Sequence, residues 1–364
     1  MKNNILQNSV IQFVNTIIEL GLKYKSSDIH IKYNEDEVEI KYRINGHLME
    51  IEELYEKIDR RNIAKNIIEI ISRIKILSNM NVTEKRKPQD GSFSFFVMND
   101  IKKENKFDIR VATLPVLNGE SVVLRILKNF LNDIKLTTLG FSEKSVNLII
   151  KMLERKYGII LVSGPTGSGK STTLNSMINI INDGKKKIIS VEDPVENKIL
   201  GITQVQVNNE IGVNFSEILK SSLRNDPDVI VISEIRDEIT AEIAIRAALT
   251  GHLVIATVHT NDTISSIIRL EDMKVPKYLV LDSIIGVIGL RLVSTFDKKS
   301  RIVINEILYC DENIKNILKK SELNSKTKEM ILNEQNNNYI DFQEDIKDKL
   351  EKEIIDKNDI YGVL

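Results

Sequence analysis

The 364-residue sequence predicts an α/β fold: a mostly parallel sheet with helices on both faces, preceded by a smaller α+β domain. From about Gly140 onwards, short and fully apolar segments alternate with helical patterns, as in parallel strands buried on both faces. Between residues 27 and 127, apolar and polar residues alternate singly, as in strands with one face in water. We place the first domain at residues 1–131, a linker at 132–140 and the second domain at 141–364.

The first domain begins with an amphipathic helix, because apolar residues recur at helical spacing between Ile5 and Leu20. Val38–Ile44 then alternates apolar and polar side chains and leads into Asn45-Gly46, a hairpin turn sequence. A helix is predicted over Ile63–Leu77. The first helix is too polar to cross a bilayer or to act as a signal peptide, so we expect a soluble, cytoplasmic protein.

A second predicted hairpin carries two arginines. It runs out through Phe107–Val111, turns at Asn118-Gly119 and returns through Val122–Ile126. Arg110 and Arg125 should then lie within a residue or two of being cross-strand neighbours. Because like charges repel when they face each other across a hairpin, we expect an anion near this pair.

The second domain contains four predicted strands, Ile159–Val162, Ile188–Val191, Val229–Ile232 and Leu253–Val258. Polar residues follow each of them. The carboxyl ends of parallel strands share one edge of a sheet, and ligands bind at that edge in open α/β folds. From about residue 309 to 364, apolar residues recur at helical intervals in a charged sequence, which indicates small surface helices.

The sequence GPTGSGKST directly follows the first of these strands and precedes a helical pattern. It fits GxxxxGK[ST], in which a glycine turn and a helix N-terminus direct backbone N–H groups at a phosphate. This context disfavours a chance match, so we expect a nucleoside triphosphate site. Lys170 would reach the β- and γ-phosphates and Ser171 would bind Mg²⁺. The predicted binding residues are Gly164, Pro165, Thr166, Gly167, Ser168, Gly169, Lys170, Ser171 and Thr172.

Two carboxylates follow neighbouring strands. Glu234 ends an apolar strand and is expected to hold Mg²⁺, partly through water, or to polarise the attacking water. Glu192 is a second candidate for the same work. We favour Glu192 for the water and Glu234 for the metal, and the reverse assignment stays open. For Glu192 the alternative is capping of a helix by an acid that follows a strand.

His259 follows the last predicted strand among hydroxyl and amide side chains, and we interpret it as a γ-phosphate sensor. For His252, a role in the site and a role in a buried turn are equally open. Arginine suits phosphate contacts, although a single arginine more often pairs with a carboxylate. The other arginines near the predicted site are Arg224, Arg236, Arg269 and Arg291.

Composition argues against several kinds of site. With 51 basic and 52 acidic residues the net charge is −1, so there is no basic field for nucleic acid and we expect no nucleic-acid partner. The single cysteine, Cys310, excludes an internal disulfide and a cysteine zinc site. The four histidines are not spaced to bind a metal together, so no zinc is expected.

Several further segments complete the pattern. The first domain contains SDIHI, RINGHL, PQDGSF, DIRVATLP and GESVVLRIL, and the second contains VEDPVE, LRNDPDVIVISEIRD and TGHLVIATVHTND. Together with GPTGSGKST, from about Ser27 to Leu308, they resemble the motifs of the ATPases that power type II secretion, type IV pilus assembly and competence pseudopili.

This resemblance implies a RecA-like P-loop core that hydrolyses ATP with Mg²⁺, in a ring of six identical subunits. The first domain of one subunit would close on the ATPase domain of its neighbour about residues 132–140, and Arg110 and Arg125 would then reach the γ-phosphate. Force would pass to a polytopic inner-membrane platform protein. The chain would lie at the cytoplasmic face of the inner membrane, held there by its partners.

The sequence also departs from the family pattern. The match begins close to the first residue, so we expect no separate N-terminal docking domain. The four-cysteine zinc insertion is absent, and Leu290-Arg291-Leu292 stands where the family has Gln-Arg-Leu. Ser233 replaces a usual Gly and Ile239 a common Glu. The short, zinc-free form is most similar to the competence pseudopilus ATPases, and its motifs fit assembly better than retraction.

Three functions are therefore weighed. The favoured one is a hexameric ATPase motor that extends a pilus or pseudopilus. The second is an ATP-gated docking or regulatory subunit with little turnover, which the residues at 233 and 239 suggest. The third is a nucleic-acid translocase, which the near-neutral charge disfavours.

Overall fold

A computed structural model of the chain describes residues 10–34, 37–55, 60–98, 104–117, 119–127, 134–208, 211–298, 300–333 and 337–360. The chain forms two compact units, Met1–Asn129 (unit 1) and Phe130–Leu364 (unit 2). Unit 1 has an antiparallel sheet with helices, and unit 2 has a mostly parallel sheet between helices. The predicted fold class is confirmed.

Unit 1 contains α1 (Val10–Lys23), β1 (Asp28–Asn34), β2 (Glu37–Ile44), β3 (His47–Glu50), α2 (Ile51–Leu54), α3 (Arg60–Lys65), α4 (Ile67–Leu77), β4 (Gln89–Met98), β5 (Glu104–Val116) and β6 (Gly119–Leu127). In its described part the strand order is β3-β2-β1-β6-β5-β4, antiparallel throughout. The apolar faces of α1 and α4 share one core with the inward side chains of the sheet. The Tyr42 hydroxyl donates to the backbone oxygen of Ile17 at 3.1 Å, which ties α1 to β2.

The single helix predicted over Ile63–Leu77 is instead two helices, α3 and α4, separated at Asn66. The Asn66 N–H donates to Ile63 O at 3.0 Å, which is a tighter turn than an α-helix makes. Asparagine favours such turns because its short amide competes for backbone hydrogen bonds. Ile63 and Ile67 are both buried, so the break preserves the apolar face that the sequence pattern showed.

The predicted arginine pair is confirmed, since Arg110 and Arg125 are direct partners in the register of β5 and β6. One anion beside the pair comes from the sheet itself, because Asp28 faces Arg125 across β1 and β6. Arg125 Nε donates to Asp28 Oδ1 at 2.9 Å. The predicted turn residue Asn118 lies outside the described residues.

Unit 2 contains the elements α5 (Leu136–Leu139), α6 (Glu143–Leu153), β7 (Gly158–Ser163), α7 (Lys170–Ile181), β8 (Ile188–Glu192), β9 (Thr203–Gln206), α8 (Phe215–Ser222), β10 (Val229–Ile232), α9 (Glu238–Leu249), β11 (Leu253–Val258), α10 (Thr263–Asp272), α11 (Lys277–Ser283), β12 (Ile284–Ser294), β13 (Arg301–Tyr309), α12 (Glu312–Lys320), α13 (Ser325–Asn333), β14 (Tyr339–Ile340) and α14 (Phe342–Glu351).

In the described part of unit 2 the strand order is β14-β13-β12-β7-β11-β10-β8-β9, and β12 to β9 are parallel. Successive residues of β7, β10 and β11 enter two different apolar clusters, as Ile159 and Ile160 do. The sheet is thus buried on both faces, and the four apolar strands predicted from the sequence are confirmed as β7, β8, β10 and β11.

The hairpin of β12 and β13 was not predicted. Gly286, Gly289 and Arg291 interrupt the apolar pattern of β12, which hides the strand from a search for apolar runs. Gly286 is required by close packing, because a Cβ there would lie 2.5 Å from Met152 Cε and 2.6 Å from Leu308 O. This is a constraint of the tertiary structure.

The predicted small helices near the C-terminus are confirmed as α12, α13 and α14. Their apolar residues, among them Ile314, Leu318 and Ile331, belong to the main core of unit 2. In the predicted linker, residues 132 and 133 lie outside the described residues, Leu136 is buried, and Ser176 Oγ donates to Ile134 O at 2.7 Å. A hinge function of residues 132–140 stays a prediction. No helix among the described residues is long and apolar enough to cross a membrane.

An ion pair buried in unit 1 offers a test of its packing. Lys75 of α4 pairs with Glu120 of β6, and the two side chains are 1% and 9% exposed. We predict that Lys75→Met lowers the free energy of unfolding of unit 1 by about 3 kcal/mol, because Glu120 is left buried without a countercharge. Lys75→Met/Glu120→Met should regain most of this loss. Native-state hydrogen exchange of β6 amides measures both. The exposed Lys65→Met is the control, and a Lys75→Met effect no larger than the control's would contradict the prediction.

A second prediction concerns pH. Burial raises the pKa of Asp28 most, but hydrogen bonds from Arg125 and Ser27 outweigh it, so the pKa of this carboxyl lies below its ordinary value. A lowered native pKa stabilises the fold above the unfolded pKa of about 3.9 and ceases to do so as pH falls through the native value. Asp28→Asn should therefore cost about 1 kcal/mol at pH 7.

The stability difference between wild type and Asp28→Asn should shrink below the unfolded pKa of about 3.9 and vanish once the pH is below the native pKa. Urea unfolding at pH 7, 5 and 3 measures it. A difference that is the same at all three pH values would show that the carboxylate charge contributes nothing.

Candidate nucleotide-binding site

The loop between β7 and α7 has the backbone of a phosphate-binding turn. Gly169 is the N-cap of α7 in the left-handed region, with φ 95°. Gly164 has φ 146°, and a Cβ there would lie 2.5 Å from both Leu290 O and Ser168 Oγ. Glycine is therefore required at position 164 by conformation and by space. The loop ends at the N-terminus of a 12-residue helix, where the free backbone N–H groups favour binding of an anion.

Lys170 lies across this loop. Its Nζ donates to Gly164 O at 2.8 Å and to Pro165 O at 3.0 Å. Burial lowers the pKa of Lys170, Glu234 opposes this shift, and Arg291 adds to it. The ammonium is thus held beside the loop, in the field of a carboxylate that comes from another strand.

A cleft of about 450 Å³ lies at the carboxyl edge of the sheet and brings most of the predicted residues together. Side chains from the ends of β8, β10 and β11 meet the loop and the first turn of α7 there. The residues that line this cleft are Thr166, Gly167, Gly169, Lys170, Ser171, Thr172, Leu174, Asn175, Ile178, Ser190, Glu192, Asp193, Pro194, Glu196, Ser233, Glu234, Thr257, His259, Leu292 and Arg301.

Each carboxylate oxygen of Glu234 has a side-chain partner in or beside the cleft. Its Oε1 lies 3.1 Å from His259 Nε2, and its Oε2 lies 2.8 Å from a terminal guanidinium nitrogen of Arg236. Arg236 also approaches Asp193 Oδ2 at 3.5 Å. A single arginine near the site was predicted to pair with a carboxylate. For Arg236 this holds, and the partner is the candidate catalytic carboxylate itself.

Glu192 is held differently. Its Oε1 accepts hydrogen bonds from Ser190 Oγ and from Gln204 Nε2, both at 2.8 Å. Both donors lie on the paired strands β8 and β9, which places the Glu192 carboxylate on rigid backbone. Capping of a helix, the alternative considered for Glu192, is not what these contacts show.

The remaining predicted residues lie outside the lining of the cleft. Gly164 and Pro165 contact Lys170 through their carbonyl oxygens, and Ser168 is buried beneath the loop. Arg110 and Arg125 lie in unit 1, and their action at the nucleotide stays a prediction.

His252 lies in the turn before β11, with Nδ1 3.1 Å from Ala247 O. This favours the turn role for His252.

Sequence reasoning missed Leu292 and Arg301, which line the cleft from β12 and β13. The motif at Leu290-Arg291-Leu292 was a signal for that segment, but it indicated no strand. Thr257 was also not singled out, and its hydroxyl donates to the backbone oxygen of Ser233, joining β11 to the end of β10.

The cleft fits a magnesium ion that arrives with phosphate. Within the described residues, no three His, Cys, Asp or Glu side chains are grouped so as to hold a metal by themselves. Ser171 and Glu234 nevertheless line the same cleft. One hydroxyl and one carboxylate, completed by water and phosphate oxygens, are the ligands with which proteins hold Mg²⁺.

Comparison with known proteins identifies the family to which this chain is similar. The family model described as Type II/IV secretion system protein matches residues 5–341. Type II secretion system protein E of Xanthomonas campestris pv. campestris is 43% identical over 288 residues, 79% of this chain and 48% of that protein. Type II secretion system ATPase E of Vibrio cholerae is 38% identical over 286 residues, 79% of this chain and 54% of that protein. The chain spans about half the length of these curated relatives.

Solved structures show the same fold. The pilus retraction motor PilT with bound ADP is 26% identical, with a TM-score of 0.72 and 96% of each chain covered. The Legionella pneumophila ATPase DotB has a TM-score of 0.76 at 24% identity, covering 96% of this chain and 94% of that chain. The family model matches most of the chain, and the chain is about 40% identical to secretion proteins. The chain therefore belongs to the Type II/IV secretion system protein family.

Proposed function

We propose that this chain hydrolyses ATP as a motor subunit that drives assembly of a type IV pilus or of a type II secretion or competence pseudopilus. The observation that carries the proposal is the convergence of Lys170 and Ser171 with Glu192, Glu234 and His259 in one cleft. A phosphate-binding loop alone would support binding. The carboxylates at the ends of β8 and β10 support hydrolysis, because phosphoryl transfer to water needs a positioned nucleophile and neutralised charge.

In this proposal the loop and the N-terminus of α7 bind the phosphates, and Lys170 exchanges its two loop carbonyls for phosphate oxygens. Ser171 and Glu234 would hold Mg²⁺, Glu234 partly through water. The ion supplies neutralisation of charge on the phosphates. Lys170 needs little reorganisation, since its Nζ already lies on the loop, 2.8 Å from Gly164 O.

Glu192 would position the attacking water. Its carboxylate is held in place by two neutral hydrogen-bond donors at 2.8 Å, neither of which is a competing cation. Glu234 instead lies between Arg236 and His259. The contacts of Glu192 support water positioning by that carboxylate. Metal binding by Glu234, the assignment favoured from the sequence, requires Glu234 to release one of its two partners.

His259 would report the state of the nucleotide. With Nε2 3.1 Å from Glu234 Oε1, it shares a partner with the proposed metal site. A γ-phosphate that arrives in the cleft offers the imidazole a second acceptor. His259 would thus change partner between nucleotide states and move the loop that follows β11.

The family supports the rest of the proposal. We infer a ring of six subunits in which Arg110 and Arg125 reach the γ-phosphate, with residues 132–140 as the hinge. The exposed fraction of the Arg125 side chain is 65%, so it can reach a ligand while it pairs with Asp28. The partner would be a polytopic inner-membrane platform protein, and the chain would act at the cytoplasmic face of that membrane.

A second function, an ATP-gated docking or regulatory subunit with little turnover, is favoured by one observation. Both oxygens of Glu234 are already paired, with His259 and with Arg236. If these pairs persist when nucleotide binds, the carboxylate is not available to the metal. Tight ATP binding by the assembled wild-type protein without phosphate release would favour this function over the motor.

Substitution of Lys170 tests the proposed hydrolysis. Lys170→Ala should lower the rate of Mg²⁺-dependent phosphate release from ATP by at least about a hundredfold, because it removes the cation that neutralises the β- and γ-phosphates. A malachite-green assay of the full chain measures the rate. Lys185→Ala, an exposed lysine after α7, is the matched control and should keep the wild-type rate. Full activity in Lys170→Ala would sink the proposal.

Substitution of both arginines tests their proposed action at the nucleotide. Arg110→Ala/Arg125→Ala should abolish hydrolysis while ATP is still bound, and the specific activity of wild type should rise with protein concentration as rings assemble. Arg125 also pairs with Asp28, so a loss could reflect unit 1 alone. Asp28→Asn is the control, because it breaks the ion pair and keeps both guanidinium groups.

Retained hydrolysis in Asp28→Asn together with loss in the double arginine variant supports a role at the nucleotide. The ring mechanism would be contradicted if specific activity did not depend on protein concentration and the double arginine variant still hydrolysed ATP.

A further inference from the structure

A buried carboxylate of unit 2 accepts three hydrogen bonds. Glu306, on β13, is 1% exposed. It accepts from the Tyr339 hydroxyl, from the Thr263 N–H at 2.9 Å and from Lys328 Nζ at 2.9 Å. Tyr339 and Lys328 belong to the C-terminal segment, and Thr263 is the first residue of α10. Glu306 thus joins β14 and α13 to the start of α10.

Lys328 joins a second carboxylate to the same cluster. Its Nζ lies 3.1 Å from Asp262 Oδ2 and its side chain is 26% exposed. Burial lowers the pKa of Lys328, but Glu306 and Asp262 outweigh burial, so the pKa lies above its ordinary value. Lys328 therefore stays charged between two carboxylates that would otherwise repel each other.

Asp262 is also the N-cap of α10. Its side chain accepts from the Ser265 N–H at 2.7 Å, and its own N–H donates to Ser265 Oγ at 3.0 Å. One carboxylate therefore caps the helix and binds Lys328 at the same time. Loss of such a cap destabilises the first turn of a helix, because backbone donors of that turn lose their acceptor.

The residues just before Asp262 lead back to the cleft. His259 is three positions away, and the segment between them is held by two further contacts. Arg291 donates to Asn261 O at 2.8 Å, and the Thr260 and Ser266 hydroxyls are 2.7 Å apart. The segment is thus fixed by β12, by α10 and, through Asp262, by α13.

We propose that Lys328 is a positioning residue for hydrolysis: by holding Asp262 and Glu306 together it fixes the start of α10 and so keeps His259 against Glu234. This inference rests on the proposed function. It makes α13 the element through which a change at the C-terminal helices reaches the nucleotide. Among the described residues, Lys328 forms ion pairs with Asp262 and Glu306, neither of which lines the cleft, so its effect is indirect.

The test compares Lys328→Met with Lys326→Met, an exposed lysine on the same helix. We expect Lys328→Met to lower kcat for ATP about ten- to a hundredfold, with KM for ATP unchanged, because a displaced group near the reaction costs rate and not binding. Lys326→Met should match wild type. Lys328→Met/Glu306→Gln removes the repulsion along with the cation and should regain most of kcat. Circular dichroism at the assay temperature establishes that each variant is folded.

A readout without hydrolysis separates this inference from the proposed function. The chain has four histidines, so the ring signals of His259 can be assigned by comparison with His259→Gln. In nucleotide-free protein, Lys328→Met should move these signals towards their positions in Glu234→Gln, and Lys326→Met should not.

Unmoved His259 signals in folded Lys328→Met overturn the inference, whatever happens to kcat. If wild type does not hydrolyse ATP, the proposed function fails, and the His259 signals still decide whether Lys328 positions the loop.

Discussion

Burial of the parallel strands of unit 2 on both faces determines where its polar chemistry can lie. Alternate residues of β7, β10 and β11 enter separate apolar clusters, so no face of the sheet can hold a charged group without a partner. Charged side chains are left to the strand ends. Because the strands are parallel, their carboxyl ends coincide, and Glu192, Glu234 and His259 meet the phosphate-binding loop at Lys170.

The cleft is organised by charges that are already paired. Lys170 lies on two loop carbonyls, and Glu234 is shared by Arg236 and His259. Each of these groups would exchange one partner for another when a phosphate or a cation arrives. Exchange of this kind needs little desolvation, because the groups are partly buried before the ligand binds. The pair that is formed would then depend on the nucleotide state, which is a physical basis for the proposed motor cycle.

Each unit contains a lysine that pairs with a buried carboxylate and so joins two elements of the fold. In unit 1, Lys75 and Glu120 lock α4 to the strand that carries Arg125. In unit 2, Lys328 and Glu306 lock α13 to the start of α10. Such pairs contribute little net stability, since desolvation offsets the attraction, but breaking one is costly. Their effect is to define a single arrangement of the elements that they join.

The sequence by itself determined the α/β class, the four apolar strands, the phosphate loop and the cross-strand pairing of Arg110 with Arg125, because periodicity and glycine spacing are local properties. Tertiary structure decided the partners. Only the assembled structure brings together the residues of three contacts: Arg125 with Asp28, Glu234 with Arg236, and the Lys328 cluster. The same holds for the strand through Gly286 and Arg291, which pairs with β13. A charge reveals its type in the sequence, but which opposite charge it meets depends on the packing that removes both from water.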